Sequence, residues 1–285
     1  MHRDLPQDAV AVAAPLLQVQ HLVKDYPVRR QGMRRGGILR AVDDVSFTLE
    51  KGRTLSIVGE SGSGKSTVAR MVMRLLEPTQ GSIRLDGEDW LALPRRELRL
   101  ARQKIQLVFQ DPFSSINPRM RVAEVIGEPL RNFNIARGEA ARARVVELLE
   151  QVGLSAAALT RYPHEFSGGQ RQRIVIARAL ASDPDLIVCD EAVSALDVSI
   201  QAQILNVLAR IQEQMKVSYL FISHDLAVVQ HISDEVAVMY KGSIVETGST
   251  REIYSRPKHA YTERLLDSVP GSVSSSSACQ TAMDR

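Results

Sequence analysis

The stretch "GESGSGKST" sets Gly59, Glu60, Ser61, Gly62, Ser63, Gly64, Lys65, Ser66 and Thr67 between an apolar run, "TLSIV", and a helix-period segment, "STVARMVMRLL". Strand, glycine loop and helix in that order form the context in which G-x-x-x-x-G-K-[ST] binds phosphate. Backbone amides of Gly62 to Ser66 can close around a β-phosphate because the loop residues are small. Lys65 then reaches the β- and γ-phosphates, and the Ser66 hydroxyl offers a ligand to Mg2+. The chemistry indicated is that of a nucleoside triphosphate and its magnesium ion.

A second apolar run, "DLIVCDE", ends in two carboxylates, Asp190 and Glu191. Such a pair is costly to bury without a cation beside it. Asp190 suits the magnesium shell. Glu191, one residue on and on the opposite side of the strand end, is placed to polarise the water that attacks a γ-phosphate. Gln110 closes "IQLVF" and His224 closes "YLFIS", so both fall where parallel strands present their C-terminal ends, the usual ligand edge of such a sheet. A further glycine turn, Ser167, Gly168, Gly169 and Gln170, opens the helix-period segment "RQRIVIARAL" and reads as another anion cradle, yet no lysine follows it.

These residues need a scaffold that gathers strand ends, and the sequence supplies one. β-Branched runs alternate with helix-period segments, which predicts a parallel α/β core. The stretches "LLQVQHLVKDY", "AVDDVSFTLEKG" and "GSIRLDGEDW" read as antiparallel strands, and "EVAVMYKGSIVETG" as a hairpin. From 111 to about 181 the signal is mainly helical. The expected fold is therefore α/β, a P-loop NTPase core with a parallel sheet, an antiparallel β layer and an inserted helical subdomain. At 285 residues, 44% hydrophobic and 24% charged, with a net charge of +3, the chain reads as globular, with charge too weak to imply nucleic acid. Its apolar N-terminal run breaks at Pro15, so neither signal peptide nor membrane span is expected, and Cys189 and Cys279 make neither metal spacing nor disulfide framework. The arginine-rich segment 28–40 is expected to be a flexible loop and the serine-rich end a disordered tail.

Taken in order, the motifs resemble those of the nucleotide-binding subunits of ATP-binding cassette (ABC) transporters over roughly residues 16–270. They are the Walker A loop 59–67, the Q-loop Gln110, the signature turn 167–170, the Walker B strand ending at Asp190, then Glu191, the D-loop "SALD" ending at Asp197, and the switch residue His224. The resemblance implies ATP as substrate with Mg2+ held by Ser66, Gln110 and Asp190, catalysis by Glu191 with His224 and Gln110, and Tyr26 stacked on adenine. It also accounts for the second cradle. In this family two cassettes pair head to tail, and each signature turn caps the γ-phosphate of ATP held by the other's Walker A. Phe166 departs from the leucine commonest before the signature glycines, a change expected to alter packing more than chemistry.

The stretches "VFQDPFSSINPRM", "DEAVSALDVSIQAQILN" and "IYSRPKHAYTERLLDSVP" resemble the dipeptide, oligopeptide and nickel importer group, and the cysteine-poor tail resembles its F-type rather than its D-type ATPase. The expected divisions are a flexible 1–15, a nucleotide-binding domain 16–250 with its helical subdomain at 111–181, an oligopeptide-transporter-type segment 251–270, and a tail 271–285. The resemblance implies an ATPase at the cytoplasmic face of the inner membrane, attached through two permeases and working indirectly with a solute-binding protein. A D-type ATPase bearing an iron–sulfur cluster is the implied partner, with the permeases docking near 111–121. The alternatives are a nickel importer ATPase of the same group and a cassette ATPase acting on nucleic acid. The absence of zinc-type cysteine pairs and of a second cassette argues against the latter.

Overall fold

The computed structural model of the chain describes residues 14–28, 37–111 and 115–268. The N-terminal residues 1–13, the arginine-rich centre of the basic segment (29–36), part of the expected docking segment (112–114) and the tail with Cys279 lie outside the described residues. In chain order the elements are β1 (Leu17–Pro27), β2 (Ile38–Leu49), β3 (Thr54–Val58), α1 (Lys65–Val72), β4 (Gln80–Leu85), β5 (Glu88–Asp89), α2 (Arg95–Ala101) and β6 (Ile105–Phe109). There follow α3 (Val122–Asn132), α4 (Gly138–Gln151), α5 (Gly168–Leu180), β7 (Leu186–Asp190), α6 (Val198–Met215), β8 (Ser218–Ser223), α7 (Leu226–Ile232), β9 (Glu235–Tyr240), β10 (Ser243–Ser249), α8 (Thr250–Ser255) and α9 (Ala260–Asp267).

Among the described residues the strands form two sheets. One has the order β2-β1-β4-β5 and is antiparallel; the other has the order β10-β9-β3-β8-β7-β6. In the second, β9, β3, β8, β7 and β6 run parallel, with β10 folded back antiparallel on β9 as the edge. Side chains of consecutive strand residues point to opposite faces, so central strands covered on both sides must be apolar throughout. The sequence obeys this rule. Leu186 and Val188 of β7 and Leu220 and Ile222 of β8 face a core shared with α1 and the antiparallel sheet. Ile187, Cys189, Tyr219 and Phe221 face a second core with α5 and α6, including Ile174, Ala177, Leu205 and Leu208.

Helix α1 is thus sandwiched between the two sheets, with Val68, Ala69, Met71 and Val72 all buried. Its far end is fixed where the Trp90 indole N–H donates to the Val72 carbonyl at 2.9 Å. On the opposite side α3, α4 and α5 share buried Val125, Ile126, Leu130, Leu148 and Val175. The Arg178 guanidinium ties this helical region to the chain leaving β6: it pairs with the Glu128 carboxylate at 2.8 Å and donates to the Ser115 carbonyl at 3.2 Å. A third, smaller core joins Val58, Val236 and Val238 to Leu226 and Val229 of α7 and to the C-terminal Ile253 and Tyr261.

Candidate active site

The fold brings the ends of β3, β7 and β8 side by side, and the loop 59–67 leaves the first of them to enter α1. Two of its glycines are dictated by backbone neighbours. At Gly59, φ 150°, a Cβ would stand 2.1 Å from the Met239 carbonyl oxygen, and at Gly64, φ 108°, 2.5 Å from that of Ala41. Strands β9 and β2 therefore wall the loop. Gly242 N–H donates to the Ser63 carbonyl at 3.0 Å while its own carbonyl accepts from Asp43 N–H at 2.8 Å. Lys65 is buried, and its ammonium folds back to donate to the carbonyls of Gly59 at 2.6 Å and Glu60 at 2.7 Å. Burial pushes its pKa below the usual lysine value, against the raising influence of Glu191, Asp190 and Glu60. A cation desolvated inside a ring of carbonyls and small residues is poised to take anionic oxygens in their place.

At the helix end of the loop, the Ser66 hydroxyl donates to Asp190 Oδ1 at 2.8 Å, joining the start of α1 to the end of β7. Burial raises the Asp190 carboxyl above its usual range, the Ser66 hydrogen bond works against that, and the neighbouring Glu191 adds to it. Glu191 follows in a left-handed turn, φ 52°, with its amide donating to the Ile222 carbonyl at 2.9 Å. The turn aims its carboxylate at β8: Oε1 lies 3.3 Å from His224 Nδ1. Asp190 and Glu191 thus face different partners from adjacent positions. Gln110 lies exposed just beyond β6, whose last residue Phe109 pairs with Asp190. Tyr26, half-buried, pairs with Leu39 near the end of β1, two residues along β2 from the Ala41 carbonyl against Gly64. Ser194 has a contact that its place in "SALD" does not announce. Its hydroxyl donates to the Glu191 carbonyl at 3.0 Å and lies 3.4 Å from Glu191 Oε2.

The signature turn stands apart from this cluster. Ser167 caps α5, its Oγ accepting from Gln170 N–H at 3.4 Å, and Gln170 Oε1 accepts from Ser167 N–H at 3.0 Å. Both residues are exposed. The inward side of the turn packs on the D-loop and α6: a Cβ on Gly168 would meet Leu196 Cδ2 at 3.4 Å, and one on Gly169 would meet Ile200 Cγ2 at 2.4 Å. Among the described residues no hydrogen bond joins 167–170 to the loop 59–67. Asp197, also exposed, precedes α6. Within the chain, then, the D-loop is the link, touching Glu191 through Ser194 and the signature turn through Leu196.

Comparison with known proteins places the chain among named relatives. The chain is 52% identical to the oligopeptide transport ATP-binding protein AppF of Bacillus subtilis over 258 residues, 90% of this chain and 78% of that protein. It is 48% identical to the dipeptide transport ATP-binding protein DppF of Haemophilus influenzae over 256 residues, again 90% and 78% of the two chains. Among solved structures, an ATP-binding cassette determined as a dimer in a post-hydrolysis state with ADP and phosphate superposes with a TM-score of 0.72 at 29% identity, covering 82% of this chain and 99% of that one. The ABC transporter family matches residues 42–194, a span that takes in the glycine loop, the signature turn and both carboxylates. The chain belongs to the ABC transporter family as one of its ATP-hydrolysing cassettes.

Proposed function

We propose that the protein is the ATPase of an importer for dipeptides or oligopeptides, attached to the cytoplasmic face of the inner membrane through two permeases that work with a solute-binding protein. One arrangement carries the chemical part of this reading: beside the phosphate loop, Ser66 meets Asp190 at 2.8 Å and Glu191 lies 3.3 Å from His224. Among the described residues no helix is long and apolar enough to cross a membrane, so attachment falls to partner subunits. The peptide assignment rests on the relatives and on the chain's resemblance to the peptide importer group.

The residues fit a magnesium ion. Ser66 and Asp190 supply hard oxygens already within hydrogen-bonding distance, with Gln110 beyond the neighbouring strand end as the third candidate ligand. When bound, the ion neutralises charge on the β- and γ-phosphates. Gly59 to Thr67 wrap the phosphates, and Lys65 leaves its two carbonyls for the β- and γ-oxygens. Tyr26 stacks on the adenine. Glu191 accepts a proton from the attacking water, and His224 holds the Glu191 carboxylate in line. The γ-phosphate is completed from outside by the signature turn of a second cassette, while this chain's own Ser167 to Gln170, with Asp197 at the same junction, complete the site of that partner. The second cassette is a D-type homologue with an iron–sulfur cluster. Binding would then join the two ATPases and hydrolysis part them.

The permeases would dock beside 111–121. A cleft of about 290 Å3 opens there between the end of β6 and the helical region, lined among others by Phe109, Ser115, Glu128, Phe133 and Arg178. The test is to co-purify the chain with its permeases, count ATPase chains by native mass spectrometry, and assay ATP-dependent uptake of peptides against nickel in proteoliposomes. Peptide-stimulated turnover with one cysteine-rich ATPase present is expected. Nickel uptake, or two copies of this chain alone, would overturn the substrate or the pairing respectively.

A further inference from the structure

The family's matching span ends at residue 194, yet a residue far beyond it touches the phosphate loop. The Tyr261 hydroxyl, on the C-terminal helix α9, accepts a hydrogen bond from the backbone N–H of Glu60 at 3.0 Å. That amide belongs to the same residue whose carbonyl receives the Lys65 ammonium at 2.7 Å and Ser63 N–H at 3.2 Å. Glu60 itself is exposed, so its side chain adds no packing of its own, and the peptide is held by Lys65 from the loop side and by Tyr261 from outside it. Tyr261, by contrast, is 3% exposed and its ring lies on that of Tyr240, with centroids 4.2 Å apart. Tyr240 is the last residue of β9, one position before the turn whose Gly242 holds Ser63.

The helix bearing Tyr261 is anchored independently. Glu246 of β10 accepts the amides of Lys258 at 2.8 Å and His259 at 3.0 Å, and the His259 ring receives the Tyr261 N–H at 3.1 Å. Burial works to raise the Glu246 carboxyl, but its hydrogen bonds prevail and hold it below the usual carboxylate range, keeping the anchor charged. A rigid path therefore runs from β10 through the chain entering α9 to the first peptide of the phosphate loop.

We propose that Tyr261 is a positioning residue for ATP binding, holding the Glu60 peptide so that the loop 59–67 is set for phosphates before nucleotide arrives. The proposal rests on the reading of that loop as the ATP cradle. A loop ordered in advance spares the nucleotide the entropy of ordering it. The effect of Tyr261 must therefore appear in affinity and KM, with kcat at saturation little changed, because Tyr261 touches neither the water nor the carboxylate that would activate it.

The experiment compares wild type with Tyr261→Phe and Tyr261→Leu, measuring ATP dissociation constant and Tm on the full-length chain and KM and kcat on the assembled ATPase pair, with Lys65→Ala alongside. Tyr261→Phe keeps the ring on Tyr240 and removes only the acceptor. It is expected to weaken ATP binding and raise KM about fivefold, as for one lost hydrogen bond, with kcat within about twofold of wild type. Tyr261→Leu is expected to weaken binding at least as much and to lower Tm further through loss of the ring contact. Wild-type ATP affinity in Tyr261→Phe, whatever its Tm, would overturn the proposal, as would a fall confined to kcat. Unchanged binding in Lys65→Ala would instead remove the cradle reading beneath it, so the two failures are distinguishable.

Discussion

Two glycine turns in this chain each open a helix, and their surroundings differ in kind. The loop 59–67 is walled at both ends, with Glu60, Ser61 and Gly62 exposed between them: carbonyls of Met239 and Ala41 stand where side chains on Gly59 and Gly64 would go, and Lys65 is buried against the loop's own backbone. The turn 167–170 is packed only from beneath, by Leu196 and Ile200, while Ser167 and Gln170 bond to each other at the exposed tip. The chain fixes the first shape at both ends and the second on one side. Such a division suits a site assembled from two chains, in which one chain builds the phosphate pocket and the other brings a finished edge to it. Preorganisation lowers the cost of binding in the first case and leaves the second surface open to a partner.

The largest expected effect lies in the enclosed half. Glu191→Gln preserves size and keeps a carbonyl for His224 but cannot accept the water's proton. Turnover should fall by roughly a hundredfold or more while ATP binding persists. Because ATP would no longer be consumed, the pair of cassettes should remain closed on a size-exclusion column, and the signature turn should become protected from labelling at a cysteine placed in its exposed tip. Turnover within a few-fold of wild type would remove Glu191 from its role. A closed pair whose turn stayed labelled would break the contrast between the halves.

A matched substitution sharpens the contrast directly. Gly59→Ala sets a methyl 2.1 Å from a backbone oxygen at a φ of 150°. Overpacking and strain of that kind cost about 3 kcal/mol or more, which for a domain of this size lowers Tm by roughly 10 °C and should abolish ATP binding. Gly168→Ala meets only a leucine methyl at 3.4 Å. Its Tm should stay within about 2 °C of wild type, with loss confined to ATP turnover in the assembled transporter. Equal thermal losses for the two variants would show that the turns are not enclosed differently.

Much of this was legible in the sequence because the rules involved are local. Strand ends and glycine spacing located Lys65, Ser66, Asp190, Glu191 and His224, and unbroken apolar runs foretold strands covered on both faces, as β7 and β8 are. What the sequence withheld depends on contacts across the chain. The carbonyls of Ala41 and Met239 that enforce the two glycines come from strands β2 and β9, 23 and 175 positions from Gly64. Nothing in the pattern of an αL residue marked Glu191, since glutamate is not the residue chosen for positive φ; the turn that aims it at His224 is imposed by the Ile222 carbonyl and Ser194. Tyr261 could be read only as an apolar-face residue of a short helix, because its hydroxyl meets a backbone amide 201 residues earlier.

The smallest expected effect tests the open half alone. Ser167→Ala removes an N-cap whose hydrogen bond is long, 3.4 Å to Gln170 N–H, so the stability lost should be about 0.5 kcal/mol and the Tm shift about 1–2 °C. The same hydroxyl is exposed at the tip of the turn, where a partner's γ-phosphate would reach it. Steady-state turnover of the assembled ATPase pair should therefore fall several-fold, out of proportion to the stability change, as expected when one donor to a developing charge is removed. ATP affinity of the isolated chain should not move, because no hydrogen bond joins this turn to its own phosphate loop among the described residues. Measuring both quantities on one preparation decides the matter. If ATP affinity of the isolated chain falls together with turnover, the turn serves the pocket of its own chain, and the division between an enclosed half and an open half fails.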